Sequence, residues 1–271
     1  MPRPEGRTRV RRRLGRTLSR ARWPEYEHLL AIALDQGYRV RPLTDWLGEP
    51  VTEDPVLLLR HDVDQHPGSA LAMASIEERA GVRSGWYFRW RTARPPVVDA
   101  IRSAGHSVGL HYETLTRLML ERGAVGADPE PLIPEARELL RRELASFAAL
   151  FGPTESACPH GDSRVPGIHN GVLLRGEDSG DYGIRWDVND AVAQRGIDVW
   201  LTDRSRAEGS WRDRLDPIDL IIDRRSPLLA VIHPNNWVSG PALWLDRLLP
   251  GDKRTGDDRP VLGEPQPPVT A

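Results

Sequence analysis

Val56-Leu57-Leu58-Leu59-Arg60-His61-Asp62-Val63-Asp64 decides the fold class. Four consecutive apolar residues follow Pro55 and lead directly into an acid pair. An unbroken apolar run of this length suits a strand covered on both faces, as inside a parallel sheet. Side chains alternate along an extended chain, so Asp62 and Asp64 point to one side and His61 to the other. The arrangement recurs: a strand at 107–110 runs into His111, one at 155–158 leads to His160, and Leu228–Ile232 runs into His233.

Helical patterns fill the gaps between these strands. They cover 23–36, 43–47, 69–80, 95–104, 134–151 and 217–223, and Gly37, Gly81, Gly105 and Gly152 provide stops. Further short strands are expected at 38–40, 84–89 and 198–202. The stretch 161–196, rich in Gly, Asp, Asn and Arg, reads as long loops over a site. Repeated β-then-α units imply a parallel sheet with right-handed crossovers. Whether such a sheet closes or stays open, ligands bind at the carboxyl ends of its strands. The acids and histidines named above stand at those ends.

The chain has 271 residues, enough for one large domain, and a formal net charge of -2, which gives no reason to expect nucleic-acid binding. Cys158 is the single cysteine, which excludes an intramolecular disulfide framework and fits a reducing compartment. No apolar stretch approaches the roughly 18 residues of a membrane span. The basic N-terminus lacks the apolar segment of a secretory signal, so a soluble, cytoplasmic protein is expected. Residues 1–22 read as an arginine-rich disordered tail. Val10, Leu14, Thr17, Leu18 and Ala21 give it a weak apolar stripe that can touch an anionic surface. Residues 23–250 form the expected catalytic domain, and 251–271, rich in Pro, Gly and charge, a second disordered tail.

The chemistry follows from the strand ends. Two carboxylates brought close repel, so a cation beside them is expected. One can hold a metal while the other takes a proton from water. Neutral imidazole is a common metal ligand, and His111 and His160 both follow strands. With an aspartate they make an Asp-His-His set, which leaves a position open as catalytic zinc sites require. His233, after the clearest buried strand, is placed to protonate a leaving group. Asp203 or Asp187 can orient its ring, and the sequence leaves both open. His61 and His106 read as structural, Cys158 as a small core residue, and His28, His66 and His169 have no supporting context.

In order and content these segments resemble the polysaccharide deacetylase (NodB-homology) superfamily over roughly residues 23–237. The resemblance implies an α/β fold, a deformed (β/α) barrel of about seven parallel strands. It implies that Asp62 is the general base, Asp64 and His111 are metal ligands and His233 is the general acid. The segment Leu201-Thr202-Asp203, with Trp211, is similar to a motif of one divergent branch. Two departures stand out. Leu115 lies four residues after His111, where the superfamily usually has a second histidine, and Ala157-Cys158-Pro159-His160-Gly161 replaces its usual Arg-Pro-rich third motif. His160 is expected to supply the missing ligand, with Glu113 as the alternative.

The expected activity is removal of an acyl group, with an N-acetyl group on a sugar or oligosaccharide leading, using a divalent metal, most simply zinc. Two other readings remain. One is a metal-dependent hydrolase of phosphate esters or cyclic amides, for which Arg60 and Arg164 are the available cations. The other is a non-catalytic carbohydrate-binding relative, using Trp86, Tyr87, Trp90, Tyr112, Trp186 and Trp237 to stack on sugars.

Overall fold

The computed structural model describes residues 21–203, 211, 215–238 and 241. The tail expected at 251–271 lies outside the described residues, as do residues 1–20 of the tail expected at 1–22; Arg22, at its end, donates its backbone N–H to Trp237 O at 2.7 Å. The elements run α1 (Trp23–Asp35), β1 (Arg39–Arg41), α2 (Leu43–Gly48), β2 (Val56–Val63), α3 (Pro67–Ala80), β3 (Gly85–Phe88), α4 (Pro95–Ser103), β4 (Ser107–Tyr112) and α5 (Thr114–Glu121). They continue with α6 (Ile133–Phe151), β5 (Ser156–Pro159), β6 (Trp186–Asp187), α7 (Val188–Arg195), β7 (Val199–Thr202), α8 (Pro217–Ile222) and β8 (Leu228–Ile232).

Seven strands lie in the order β6-β5-β4-β3-β2-β8-β7, and β1 pairs with β2 outside that path. Every pairing is parallel. β1 meets β2 at Val56 to Leu58 and β3 meets it from Arg60 to Val63, so the two share one flank of β2, opposite β8. The fold is thus a deformed α/β barrel, and among the described residues its end strands β6 and β7 do not pair with each other.

Alternation along the strands builds two apolar clusters. Leu58, Tyr87, Cys158, Leu229 and Val231 pack with Leu43 and Trp46 of α2 and Val188 and Val192 of α7, closing the inside of the curl. Leu57, Leu59, Trp86, Phe88, Leu110, Ala230 and Ile232 face the other way, into the larger core with α1, α3, α4 and α6. Arg60, Asp62 and His111 continue the inner rows toward the carboxyl ends, so the site sits above the smaller cluster.

β2 is longer than its apolar run predicts, reaching Val63 and taking Arg60, His61 and Asp62 into the sheet. Polar groups survive there because each is paired. Arg60 and Asp62 bond each other on the inner face. On the outer face His61 bonds Glu77 at 2.7 Å and stacks on Trp86 with ring centroids 4.0 Å apart. Glu77 also accepts from Tyr26 Oη and, at 2.6 Å, from Ser84 Oγ, so one buried carboxylate ties α1, α3 and β2 together. His106 lies on the same side, accepting from the Ser84 backbone N–H at 3.2 Å.

Two regions differ from the sequence reading. The stretch expected to be loops contains β6 and α7, with the Asp187 side chain accepting from the backbone of Asn189 and Asp190 to start the helix. A short helix, α5, follows β4 directly.

Candidate metal centre

β2 ends at Val63, and the chain turns out of the sheet through Asp64 and Gln65 into His66, whose φ of 53° is left-handed, before Pro67 opens α3. That turn leaves the Asp64 carboxylate beside the ends of β4 and β5. Thr92 Oγ1 donates to the Val63 carbonyl at 2.6 Å and Arg91 to the Asp64 carbonyl at 3.1 Å, fixing the turn from the β3–α4 connection.

Asp64 Oδ1 lies 3.5 Å from His111 Nε2 and 3.4 Å from His160 Nε2. The three ligand atoms all stand within 4.8 Å of one another. Oδ1 is buried and has no hydrogen-bond partner among the described residues. Donor atoms about 2.1 Å from a tetrahedral ion stand about 3.4 Å apart, so the two carboxylate–imidazole spacings fit a shared divalent ion. His111 Nδ1–H donates to the Cys158 carbonyl at 3.0 Å, which leaves the Nε2 lone pair for the centre. Burial pushes this imidazole down to about 4, so it is neutral and able to ligate at neutral pH. Burial opposes ionisation of Asp64, but the surrounding imidazoles outweigh it and hold the carboxyl well below the usual range. His160 is held through its backbone: its N–H donates to Tyr112 O at 2.8 Å, and its carbonyl accepts from Asn170 Nδ2 at 2.7 Å.

Asp62 faces the same centre, with Oδ2 3.6 Å from His111 Nε2. Arg60 grips both its oxygens, Nε to Oδ1 at 2.8 Å and Nη2 to Oδ2 at 2.7 Å. Burial works against the charge, but the guanidinium overrides it and holds Asp62 at about 2. Arg60 Nη1 also donates to Asn189 Oδ1 at 2.8 Å, anchoring the guanidinium to α7. The sequence reading gave Arg60 no such role, although its position two residues before Asp62 puts it on the same face.

His233 leaves β8 with Nε2 3.8 Å from Asp64 Oδ2. Its Nδ1–H donates to Asp203 Oδ1 at 2.7 Å, and its backbone N–H donates to Asp203 Oδ2 at 3.0 Å. Trp237 Nε1–H bonds the same Oδ2 at 2.8 Å, so the aspartate is fixed from two sides. Burial favours the neutral ring, but the bond to Asp203 and the charges of Asp62 and Asp64 raise His233 to about 9. Of the two acids left open by the sequence, Asp203 bonds His233. Asp187 instead caps α7 and accepts from Tyr112 Oη at 2.6 Å.

The remaining sequence candidates lie elsewhere or in other roles. Glu113 stands behind His160, its Oε2 3.7 Å from Nδ1. Cys158 is buried beneath the centre, its Sγ grouped with Asp62 and His111. Trp86, Tyr87, Tyr112 and Trp237 are buried in the interior and offer no surface for stacking, and Trp90 and Trp186 are half-buried. Arg164 bonds Asp162 in an exposed turn.

No family model matches the chain, and no curated protein does. Among solved structures it is similar to a family 4 carbohydrate esterase from Streptomyces lividans in complex with acetate, at 16% identity and a TM-score of 0.38, over 70% of this chain and 85% of that one. It is also similar to a CE4 family pseudoenzyme from Bacillus anthracis, at 13% identity and a TM-score of 0.35, over 75% of this chain and 62% of that one. A third similar structure is a peptidoglycan N-acetylglucosamine deacetylase, at 15% identity and a TM-score of 0.31, over 74% and 82% of the two chains. What this chain does has to be read from its own side chains.

Proposed function

We propose that the chain is a metal-dependent hydrolase that removes an acyl group, with an N-acetyl group on a sugar or oligosaccharide as the leading substrate. The observation that carries this reading is the buried, unpartnered Oδ1 of Asp64, facing His111 and His160 with the His233–Asp203 pair beside it. Asp64, His111 and His160 would hold a divalent ion, most simply zinc, which when bound polarises water and the acyl oxygen.

The chain's own groups move the protons. Asp62 accepts the proton of the attacking water, and Arg60 keeps it ionised and aimed. His233 carries a proton at neutral pH, and its Nε2 faces the centre while Nδ1 is tied to Asp203. It delivers that proton to the departing amine. Asp203 fixes the ring and stabilises its charge.

The test is acetate release from N-acetylated oligosaccharides, lost with a chelator and restored by zinc. Asp62→Asn is expected to keep bound zinc and lose roughly 10²–10⁴-fold in kcat, the range of a general base. Full turnover in that variant would remove Asp62 from the role.

One observation favours a second reading, a carbohydrate-binding relative without turnover. Arg60 occupies both oxygens of Asp62 and lowers its basicity, which weakens a base. Saturable sugar binding with no acetate released at any zinc concentration would select this reading.

A further inference from the structure

We infer that Glu113 is a positioning residue for the metal centre, acting through His160; this rests on the proposed role of His160 as a ligand. An imidazole that gives its Nε2 lone pair to an ion keeps its proton on Nδ1, and a buried N–H needs an acceptor. His160 Nδ1 is buried with no hydrogen-bond partner among the described residues. The group that faces it is Glu113 Oε2, 3.7 Å away and itself buried. Arg89 Nε donates to that same oxygen and holds the carboxylate. Among the described residues Glu113 belongs to neither set of converging ligand atoms, Asp64-His111-His160 or Asp62-His111-Cys158.

Both backbones are already held. Glu113 starts α5, its carbonyl accepting from Arg117 N at 2.9 Å and from Thr116 Oγ1 at 3.1 Å. His160 N–H bonds the carbonyl of Tyr112, the residue just before Glu113, at 2.8 Å. A side-chain movement of about 0.8 Å therefore brings Nδ1–H within ordinary bonding distance of Oε2. The orphaned nitrogen is satisfied when His160 turns onto an ion. Glu113 thus sets both the tautomer and the ring angle, the role that carboxylates play behind metal-bound histidines.

The experiment measures zinc affinity of the full chain by competition with a chromophoric chelator. Glu113→Gln is expected to weaken zinc roughly 10–100-fold. His160→Ala should weaken it at least as much, and the double variant no further than His160→Ala alone. Unchanged affinity in Glu113→Gln overturns the inference and leaves His160 as a ligand. Unchanged affinity in His160→Ala overturns the underlying reading, and the inference with it. An effect of Glu113→Gln that persists in the His160→Ala background means that Glu113 acts on the ion directly, which also overturns it. Because Glu113→Gln leaves Arg89 buried without a carboxylate, Arg89→Gln/Glu113→Gln removes both charges and is read alongside, its fold checked by its metal-free melting midpoint. Wild-type zinc affinity in that folded variant refutes the inference; the same 10–100-fold loss supports it.

Discussion

A histidine that is to donate a proton at neutral pH has to hold it against its ordinary pKa of 6.5, and His233, the proposed acid, is raised to about 9. The shift is made by its neighbours, because burial alone lowers an imidazole. For the proposed acid role, kcat/KM is expected to show a descending alkaline limb near pH 9. Asp203→Asn removes the negative charge facing Nδ1 and should move that limb to lower pH while leaving bound zinc in place. A limb that stays near 9 in the variant would separate the pH dependence from this pair. The same shift bears on stability. The folded chain binds the proton more tightly than the unfolded one, so the stabilisation by the pair is complete below about 6.5 and is lost as pH rises through about 9. Asp62 has the opposite sign: its bond to Arg60 contributes above the ordinary 3.8 and is lost as pH falls through about 2.

At the scale of elements, β4 shows how a strand is shaped to hold a site. Gly109 sits two residues before His111, where the Tyr87 ring crosses to reach Ser156 Oγ at 2.8 Å. A Cβ at 109 would meet the Ser156 carbonyl oxygen and the Tyr87 ring, at 2.8 and 2.9 Å from the ring. Gly109→Ala therefore pushes either β5 or Tyr87 aside and is expected to destabilise by about 1–3 kcal/mol, read in denaturant melts. Zinc affinity should fall with it, because β4 and β5 carry His111 and His160. An unchanged melt would show that the strands absorb the methyl group. The strand ends with Asp62, His111, His160 and His233 were legible because an apolar run ending in an acid or imidazole is a strong local signal. β6 and α7 were not, because β6 has two residues and α7 buries only Val188 and Val192 among polar neighbours. The Arg60–Asp62 grip had a signal in its spacing of two. The choice of Asp203 over Asp187 had no signal beyond the resemblance of Leu201-Thr202-Asp203 to a motif of one divergent branch, because it depends on how β7 lies against β8.

At the scale of the molecule, the proposed ligands join parts of the chain that are far apart in sequence. Asp64 follows β2, His111 ends β4 and His160 follows β5, so an ion held by all three ties together the carboxyl ends of three strands. Bound metal favours the folded chain by mass action, because the unfolded chain has no preformed site. At zinc about 100-fold above its dissociation constant the gain is about 2.7 kcal/mol. For a domain of this size that raises the melting midpoint by roughly 5–10 °C. His111→Ala should melt at the same temperature with and without zinc. Asp62→Asn should keep the full shift, because both oxygens of Asp62 are bonded to Arg60 and the proposed ligands are Asp64, His111 and His160. The pair of variants thus separates holding the metal from using it, with melting as the readout. Equal zinc shifts in wild type and His111→Ala would mean that the ion binds elsewhere. Loss of the shift in Asp62→Asn would instead make Asp62 a ligand, and the proton of the attacking water would then need another acceptor.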